Sequence, residues 1–460
     1  MRKENKGVSA MNAPPLPQSL ASLKPIPIVK GLPIFGHTFA LLKDSHGWGT
    51  RMNEKYGDIF RYSAFFQDWV GLAGPEAAEF LALDKDNCLS AEHAYRPFFG
   101  HLAVTSVLLM DFEEHRKHRQ ALNPSFKSAV MKTYLEQMHR IFSKSLPQLA
   151  IDGTFLFYPA IKQLTLDVAT STFLGIDDHK ECAPINKALT DLFDSALAIV
   201  RLPLPGTKLR KGLKAKEYLV DMLRSQIPER KARDGQDLFT RLCQSEGADG
   251  NGFSDDDIIG HLLSFWLAGH DTLASSLTTL VYLLGKNPEW QQKLRNEIMA
   301  LKVEQGQPSI DDLKELELCD YAFKETLRHV SPAAHTPRRA LKDIAYNGYV
   351  IPKGTIVSVG LRHIHEDEKY WPEPKNFDPM RFAPENIPAD RHQFAWAPYG
   401  GGAHKCIGMI FAQIQAKVFL LNLLPNYRIT IPENYELDLQ LVPTPRPKDG
   451  LPVTFVSLQK

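Results

Sequence analysis

Along the chain the spacing of apolar residues changes from a strand period to a helix period and back. In "KYGDIFRYSAFFQDWVGLAGPEAAEFL" (Lys55 to Leu81), β-branched and aromatic residues alternate with polar ones, which predicts strands up to about Ala78, with Gly74-Pro75 as a turn and helix start. Helical periodicity then dominates to about His329. Within it, "NGFSDDDIIGHLL" offers Ser254 as an N-cap and three aspartates that favour the positive end of a helix dipole. The helix they open should run to Gly285-Lys286-Asn287-Pro288, where Gly and Pro stop it. Its apolar stretch, Ile258 to Leu284, is long enough to cross a bilayer. His270 and Asp271 would then lie near the bilayer centre at substantial cost, so a buried central helix carrying polar chemistry is expected instead. Beyond Pro332, "DIAYNGYVIPKGTIVSVG" reads as a hairpin-like pair of strands turning at Asn347-Gly348. A proline-rich stretch, "WPEPKNFDPMRFAPENIP", leads into a glycine run, a final helix after Cys406 and a terminal strand pair. The expected fold is mainly α with minor β-sheets.

From Pro25 onward there is neither repeat nor low-complexity linker, so residues 25–460 are expected to form a single domain. Residues 1–24 lack the apolar core of a signal peptide and are expected to be a flexible tail. The 460-residue chain is 43% hydrophobic and 23% charged, a composition able to bury a sizeable core. A formal net charge of +1 gives no global reason to expect a nucleic acid partner. Five scattered cysteines without a CxxC pair argue against a zinc knuckle or a disulfide scaffold and fit reduced thiols in a cytoplasm.

Three segments carry candidate chemistry. In "FAWAPYGGGAHKCIGMIFA" (Phe394 to Ala412), Gly400 to Gly402 can take positive φ and turn backbone N–H groups toward Cys406, which precedes a helix start. Such a nest stabilises a thiolate, either as nucleophile or as metal ligand, and His404 could serve as its base. In "AGHDT", Gly269 costs a helix interior about 1 kcal/mol relative to Ala, so a flat or bulky group is expected to approach closely there. Asp271 and Thr272 form an acid–alcohol pair suited to passing protons, or simply a polar helix face. In "KETLRHVSP", Glu325 and Arg328 share a helix face and can pair.

In this order and spacing the three segments resemble the haem-thiolate monooxygenases, the cytochrome P450 family, over about Pro25 to Ser457, with the closest likeness to its retinoid-hydroxylating branch. Tyr399-Gly400-Gly401-Gly402-Ala403-His404-Lys405-Cys406-Ile407-Gly408 matches the cysteine loop of that family, except that Tyr399 stands where Phe is usual. The resemblance implies haem b as cofactor and Cys406 as its thiolate ligand, with Gly408 and Gly269 allowing close approach to the macrocycle. It further implies His115, Arg119, His404 and Arg338 (or its neighbour Arg339) as propionate partners. Thr272 would assist oxygen activation with Asp271 feeding protons, and Glu325, Arg328 and Arg381 would form a structural network. The Tyr399 hydroxyl would either hydrogen-bond near the thiolate or point to solvent.

No flavin- or nicotinamide-binding segment accompanies these motifs, so electrons are expected from a separate donor such as a ferredoxin with its reductase. Arg116, Lys117, Lys127 and Lys405 would offer that donor a basic face. The substrate is expected to be lipophilic (a retinoid, terpenoid or fatty acid), with "FFGHLAVTSVLL" (Phe98 to Leu109) in the distal wall. "ALAIVRLPLPGTKLRKGLKAKE" (Ala196 to Glu217) would join two distal helices, its basic residues either solvated or touching a membrane surface. A soluble monomer is expected. The rival activities are a peroxide-driven peroxygenase, against which the Asp271-Thr272 pair argues, and a non-catalytic haem binder or sensor.

Overall fold

The computed structural model describes residues 22–458, apart from 103–104, 152, 178, 197, 199–201, 248–249 and 302–306. Its largest core is helical and is organised by the central helix, Asp255–Lys286. Ser254 caps that helix in a reciprocal capping box with Asp257, and Asp255 and Asp256 fill its first turn. The helix stops where Pro288 opens the next one, Pro288–Ala300. Because it is buried on nearly every side, it is apolar nearly all round rather than striped. Helices Phe157–Leu174, Ser128–Ile151 and Met409–Leu423 complete the core around it. Gly402–Leu423 is long and apolar enough to cross a membrane, and half of it is buried inside the fold as a core segment.

The sheet-rich side is assembled from distant parts of the chain. Strands Ile59–Ala64 and Gln67–Leu72 form a hairpin, to which Ile356–Val359 adds in parallel, followed by Arg338–Ala340 and Leu89–Ser90. The Asn347-Gly348 turn is present, with both residues at positive φ (47° and 81°), joining Ile344–Tyr346 to Tyr349–Ile351. Lys24 and Pro25 pair in parallel with Tyr349 and Val350. The expected tail therefore ends earlier than residue 24; residues 1–21 lie outside the described residues. The terminal strand pair is Leu439–Gln440 with Arg446–Pro447, while Pro452–Ser457 joins Tyr427–Thr430 and Thr154–Leu156 in a further sheet.

The segment read as a basic loop is different. Lys208, Arg210, Lys211, Lys214 and Lys216 occupy the first turns of a 25-residue helix, Lys208–Ala232, capped by Thr207. Residues 197 and 199–201 ahead of it lie outside the described residues.

A charged network fastens the sheet side to the helical core. Glu325 and Arg328, on helix Glu317–His329, are fully buried and joined by two hydrogen bonds of 2.7 Å. Arg328 also donates to the His365 and Pro374 carbonyls (2.8 and 2.7 Å), and Arg381 approaches Glu325 at 3.4 Å. Burial alone would push the Glu325 carboxyl up, but Arg328 and His329 hold it below its ordinary value. Removing one member would leave the other charged and buried. Glu325→Ala is therefore expected to lose about 3–5 kcal/mol of stability, read as a large drop in urea midpoint; a midpoint within a few tenths molar of the parent would contradict this role.

Candidate haem site

The glycine run is shaped by close contacts. Gly400 and Gly402 adopt φ of 65° and 61°. A Cβ on Gly402 would stand 1.9 Å from the Ala82 carbonyl oxygen, and one on Gly401 2.5 Å from the Phe394 ring. The loop thus threads between helix Pro75–Leu83 and Phe394, which forces Cys406 inward. The Cys406 amide donates to the Tyr399 carbonyl at 2.9 Å, and the Gly408 amide donates to its sulfur. Burial pushes the thiol above its ordinary pKa, against the opposing pull of the Gly408 amide, Arg119 and Lys405.

The sulfur opens onto a cavity of about 340 Å³. Above it the central helix presents Ala268, Gly269 and Thr272. A side chain on Gly269 would stand 3.2 Å from the Phe173 ring, so the flat group requiring close approach there includes an aromatic side chain of the protein itself. Around Gly408 the nearest atom to an added Cβ is the Cys406 sulfur at 4.0 Å, so no protein neighbour demands glycine at that position.

His115, Arg119, Arg338 and His404 line one side of this cavity, and among the described residues no carboxylate does. The imidazoles of His115 and His404 lie against each other, centroids 4.0 Å apart and planes tilted by 32°. Arg119 and Arg338 donate to backbone carbonyls, of Lys405 (2.6 Å) and Pro337 (2.8 Å). Burial, then Arg338, His115 and Arg119, push the His404 pKa to about 2; burial and Arg119 lead in lowering that of His115 to about 4. Four nitrogenous side chains facing a void without an acid make a site for a dianion. Arg339 points elsewhere, donating to His93, Gly354 and Gln67.

Other expected residues are placed differently. Thr272 lines the cavity, its hydroxyl donating to the Ala268 carbonyl at 2.7 Å. Asp271 does not line it. Its carboxylate turns to helix Phe157–Leu174, 2.9 Å from Lys162 and 3.3 Å from the Tyr158 hydroxyl. Burial alone would push that carboxyl up, but Lys162 leads in holding it below the usual range. The hydroxyl of Tyr399 is buried without a hydrogen-bond partner, so it takes neither expected course: it meets no acceptor and does not reach solvent. On helix Phe112–Leu122, Arg116 is tied to Glu113 (2.9 and 2.7 Å), which reduces the charge available on the expected basic face; Lys117, Lys127 and Lys405 are exposed.

The segment expected in the distal wall is seated by residues that escaped sequence reasoning. A Cβ on Gly260 would strike the Thr105 carbonyl oxygen at 1.8 Å, so this glycine seats the loop ahead of Ser106 on the central helix. The Ser106 and Ser264 hydroxyls bond each other at 2.5 Å, and the Val107 amide donates to buried His261 at 3.3 Å. Ser106, Val107 and Leu108 thereby become cavity wall, whereas residues 103–104 of the same segment lie outside the described residues. Nothing in the apolar period signals these contacts, because their partners lie more than 150 positions away.

Comparison with known proteins agrees with this geometry. The cytochrome P450 family model matches residues 26–448, and the chain belongs to that family of haem-dependent monooxygenases. It is 35% identical over 441 residues to cytochrome P450 136 of Mycobacterium tuberculosis, covering 95% of this chain and 89% of the relative. It is 27% identical to abscisic acid 8'-hydroxylase 2 of Arabidopsis thaliana, covering 92% and 88%. Retinoic acid bound cyanobacterial CYP120A1 superposes with a TM-score of 0.88 at 28% identity, covering 95% of this chain and all of that one. The residues fit the family's cofactor: a thiol for the iron and a carboxylate-free cradle for two propionates.

Because the Tyr399 hydroxyl is buried without a partner, Tyr399→Phe should leave the thiolate spectrum unchanged and raise stability by about 1 kcal/mol. A loss of stability or a displaced Soret band would reveal a partner for the hydroxyl.

Proposed function

We propose that this enzyme uses haem b to insert an oxygen atom from O2 into a lipophilic substrate of the retinoid, terpenoid or fatty acid type, with electrons from a separate ferredoxin-like donor. One observation carries the reading: the Cys406 sulfur, the Thr272 hydroxyl and the carboxylate-free cradle all face one cavity whose remaining wall is largely apolar. Thiolate-ligated haem, when bound, supplies the oxygen-activating chemistry.

The chain's own residues have distinct tasks. Cys406 would hold the iron, and the Gly408 amide would stabilise the sulfur's negative charge. Arg119 and Arg338 would offset the charge of the propionates, and the neutral imidazoles of His115 and His404 would donate N–H hydrogen bonds to them. Thr272 offers its hydroxyl proton to the cavity by exchanging its bond to Ala268 for one to a cavity acceptor. Asp271 lies behind Thr272 and pairs with partly exposed Lys162, a link from solvent toward the helix interior that supports a proton-feeding role. Leu108, Phe126, Phe173, Phe265 and Leu273 exclude water and favour an apolar substrate. The relatives named for abscisic acid and retinoic acid support this class. Exposed Lys117, Lys127 and Lys405 support docking of an acidic electron donor. Leu202 and Leu204, exposed ahead of the cationic helix Lys208–Ala232, support peripheral contact with a membrane from which such substrates are drawn.

Thr272→Ala is the direct test. In the haem-loaded enzyme supplied with a ferredoxin and its reductase, product should fall on the order of a hundredfold while reductant consumption continues as peroxide. Fully coupled turnover in this variant would contradict the role given to Thr272, and turnover with peroxide alone matching the ferredoxin system would favour a peroxygenase.

A further inference from the structure

A hydrogen-bonded pair of histidines lies behind the cavity wall. His118 is half-buried on helix Phe112–Leu122, and its Nδ1 stands 2.8 Å from Nε2 of His261 on the central helix. His261 is fully buried, and its Nδ1 accepts the Val107 amide at 3.3 Å. Val107 lines the cavity with its neighbours Ser106 and Leu108, as does Phe265, whose ring lies parallel to that of His261. The pair thus connects a half-buried imidazole to the backbone of the wall.

Its partners dictate where the hydrogens sit. An amide can only donate, so Nδ1 of His261 carries a lone pair, and a neutral imidazole then bears its hydrogen on Nε2. That hydrogen points at His118, whose Nδ1 must in turn be a bare acceptor. The arrangement is complete only while His118 is neutral. A proton taken from solvent places a hydrogen on Nδ1 of His118, and two N–H groups then face each other. One bond has to be given up. A charge-assisted bond from His118 to His261 is roughly twice as strong as a neutral one, and the amide bond is the longer of the two. His261 therefore stays neutral, exchanges its hydrogen from Nε2 to Nδ1, and releases Val107.

The surroundings favour His118 as the group that takes the proton. Burial first, and then His118, hold the His261 pKa at about 3, against the opposing pull of Asp257 on the central helix. Asp257 is engaged by Ser254 in the capping box. His115, on the same helix as His118, is held at about 4. Of the flanking cations, Lys117 is exposed and Arg119 turns to the Lys405 carbonyl. Phe253 and Phe265, the other rings against the pair, carry no charge.

We propose that His118 is a positioning residue that, through His261, holds the Val107 wall in its binding shape, and that its protonation loosens this wall and weakens uptake of lipophiles in acid. The effect on uptake rests on reading the cavity as a site for lipophiles; the loosening of the wall does not.

Two measurements on the haem-loaded enzyme test it. Retinol and farnesol, both uncharged, are titrated by spin-state change at about pH 8 and about pH 5.5, which span the range in which an imidazole titrates. Amide hydrogen exchange of the peptide covering residues 106–109 reports the wall at the same two pH values without a ligand. In the parent both alcohols should bind about tenfold more weakly at the lower pH, the worth of one buried hydrogen bond. His118→Asn keeps an acceptor where Nδ1 stands but cannot titrate, so its affinities should stay at the parent's higher-pH values throughout. At the lower pH the wall should exchange faster in the parent than in His118→Asn, and at the higher pH equally. Equal exchange in the two proteins at the lower pH, or a pH dependence of binding that persists in His118→Asn, would overturn the proposal while leaving the lipophile reading intact. Failure of both alcohols to bind at either pH would overturn the lipophile reading, and the exchange comparison would then decide the proposal alone.

Discussion

The structure is organised around an electrostatic imbalance. Two guanidinium groups and two adjoining imidazoles surround a cavity that no acid side chain enters among the described residues, and the Cys406 thiol opens onto its floor. Charged groups placed away from water are costly unless paired. Backbone carbonyls accept one hydrogen bond from each of Arg119 and Arg338 without neutralising them. Burial first, and then the neighbouring cations, lower the pKa of His115 and His404, while burial raises that of Cys406. Each of these groups gains from one partner bearing two carboxylates and a thiophilic metal. Haem meets that description, and its iron would displace the thiol proton that burial retains.

Holding these groups together requires rigidity from elements far apart in sequence. Helix Phe112–Leu122 supplies His115 and Arg119, strand Arg338–Ala340 of the five-stranded sheet supplies Arg338, and the loop before helix Met409–Leu423 supplies His404 and Cys406. The Glu325–Arg328 pair fixes the floor by tying helix Glu317–His329 to the chain around His365, Pro374 and Asp378. The ceiling is the central helix, clasped to the Ser106–Leu109 turn through Gly260, His261 and Ser264. Rigid placement of this kind makes an apolar cavity selective for shape, with its few polar atoms discriminating by hydrogen bonding.

The parts that were legible in sequence rest on local physics. The N-cap at Ser254, the Asn347-Gly348 turn and the stop at Pro288 are contained within a few residues, and the structure reproduces each. The cysteine loop was legible as a motif, but the reason for its glycines was not: Gly401 and Gly402 avoid Phe394 and Ala82, contacts that only the folded chain creates. Asp271 and Thr272 are adjacent in sequence, yet helical geometry turns one toward Lys162 and the other into the cavity. Arg338 and Arg339 are likewise adjacent, and strand alternation sends them to opposite faces.

The central claim is that Cys406 ligates haem iron as a thiolate. The absorption spectrum of the reduced, carbon-monoxide-bound protein tests it most directly, with Cys406→His as the control. The expected result is a strongly red-shifted Soret band in the parent that moves back to the position of histidine-ligated haem in the variant. An unshifted band in the parent, or a red-shifted band that survives in Cys406→His, would contradict the claim.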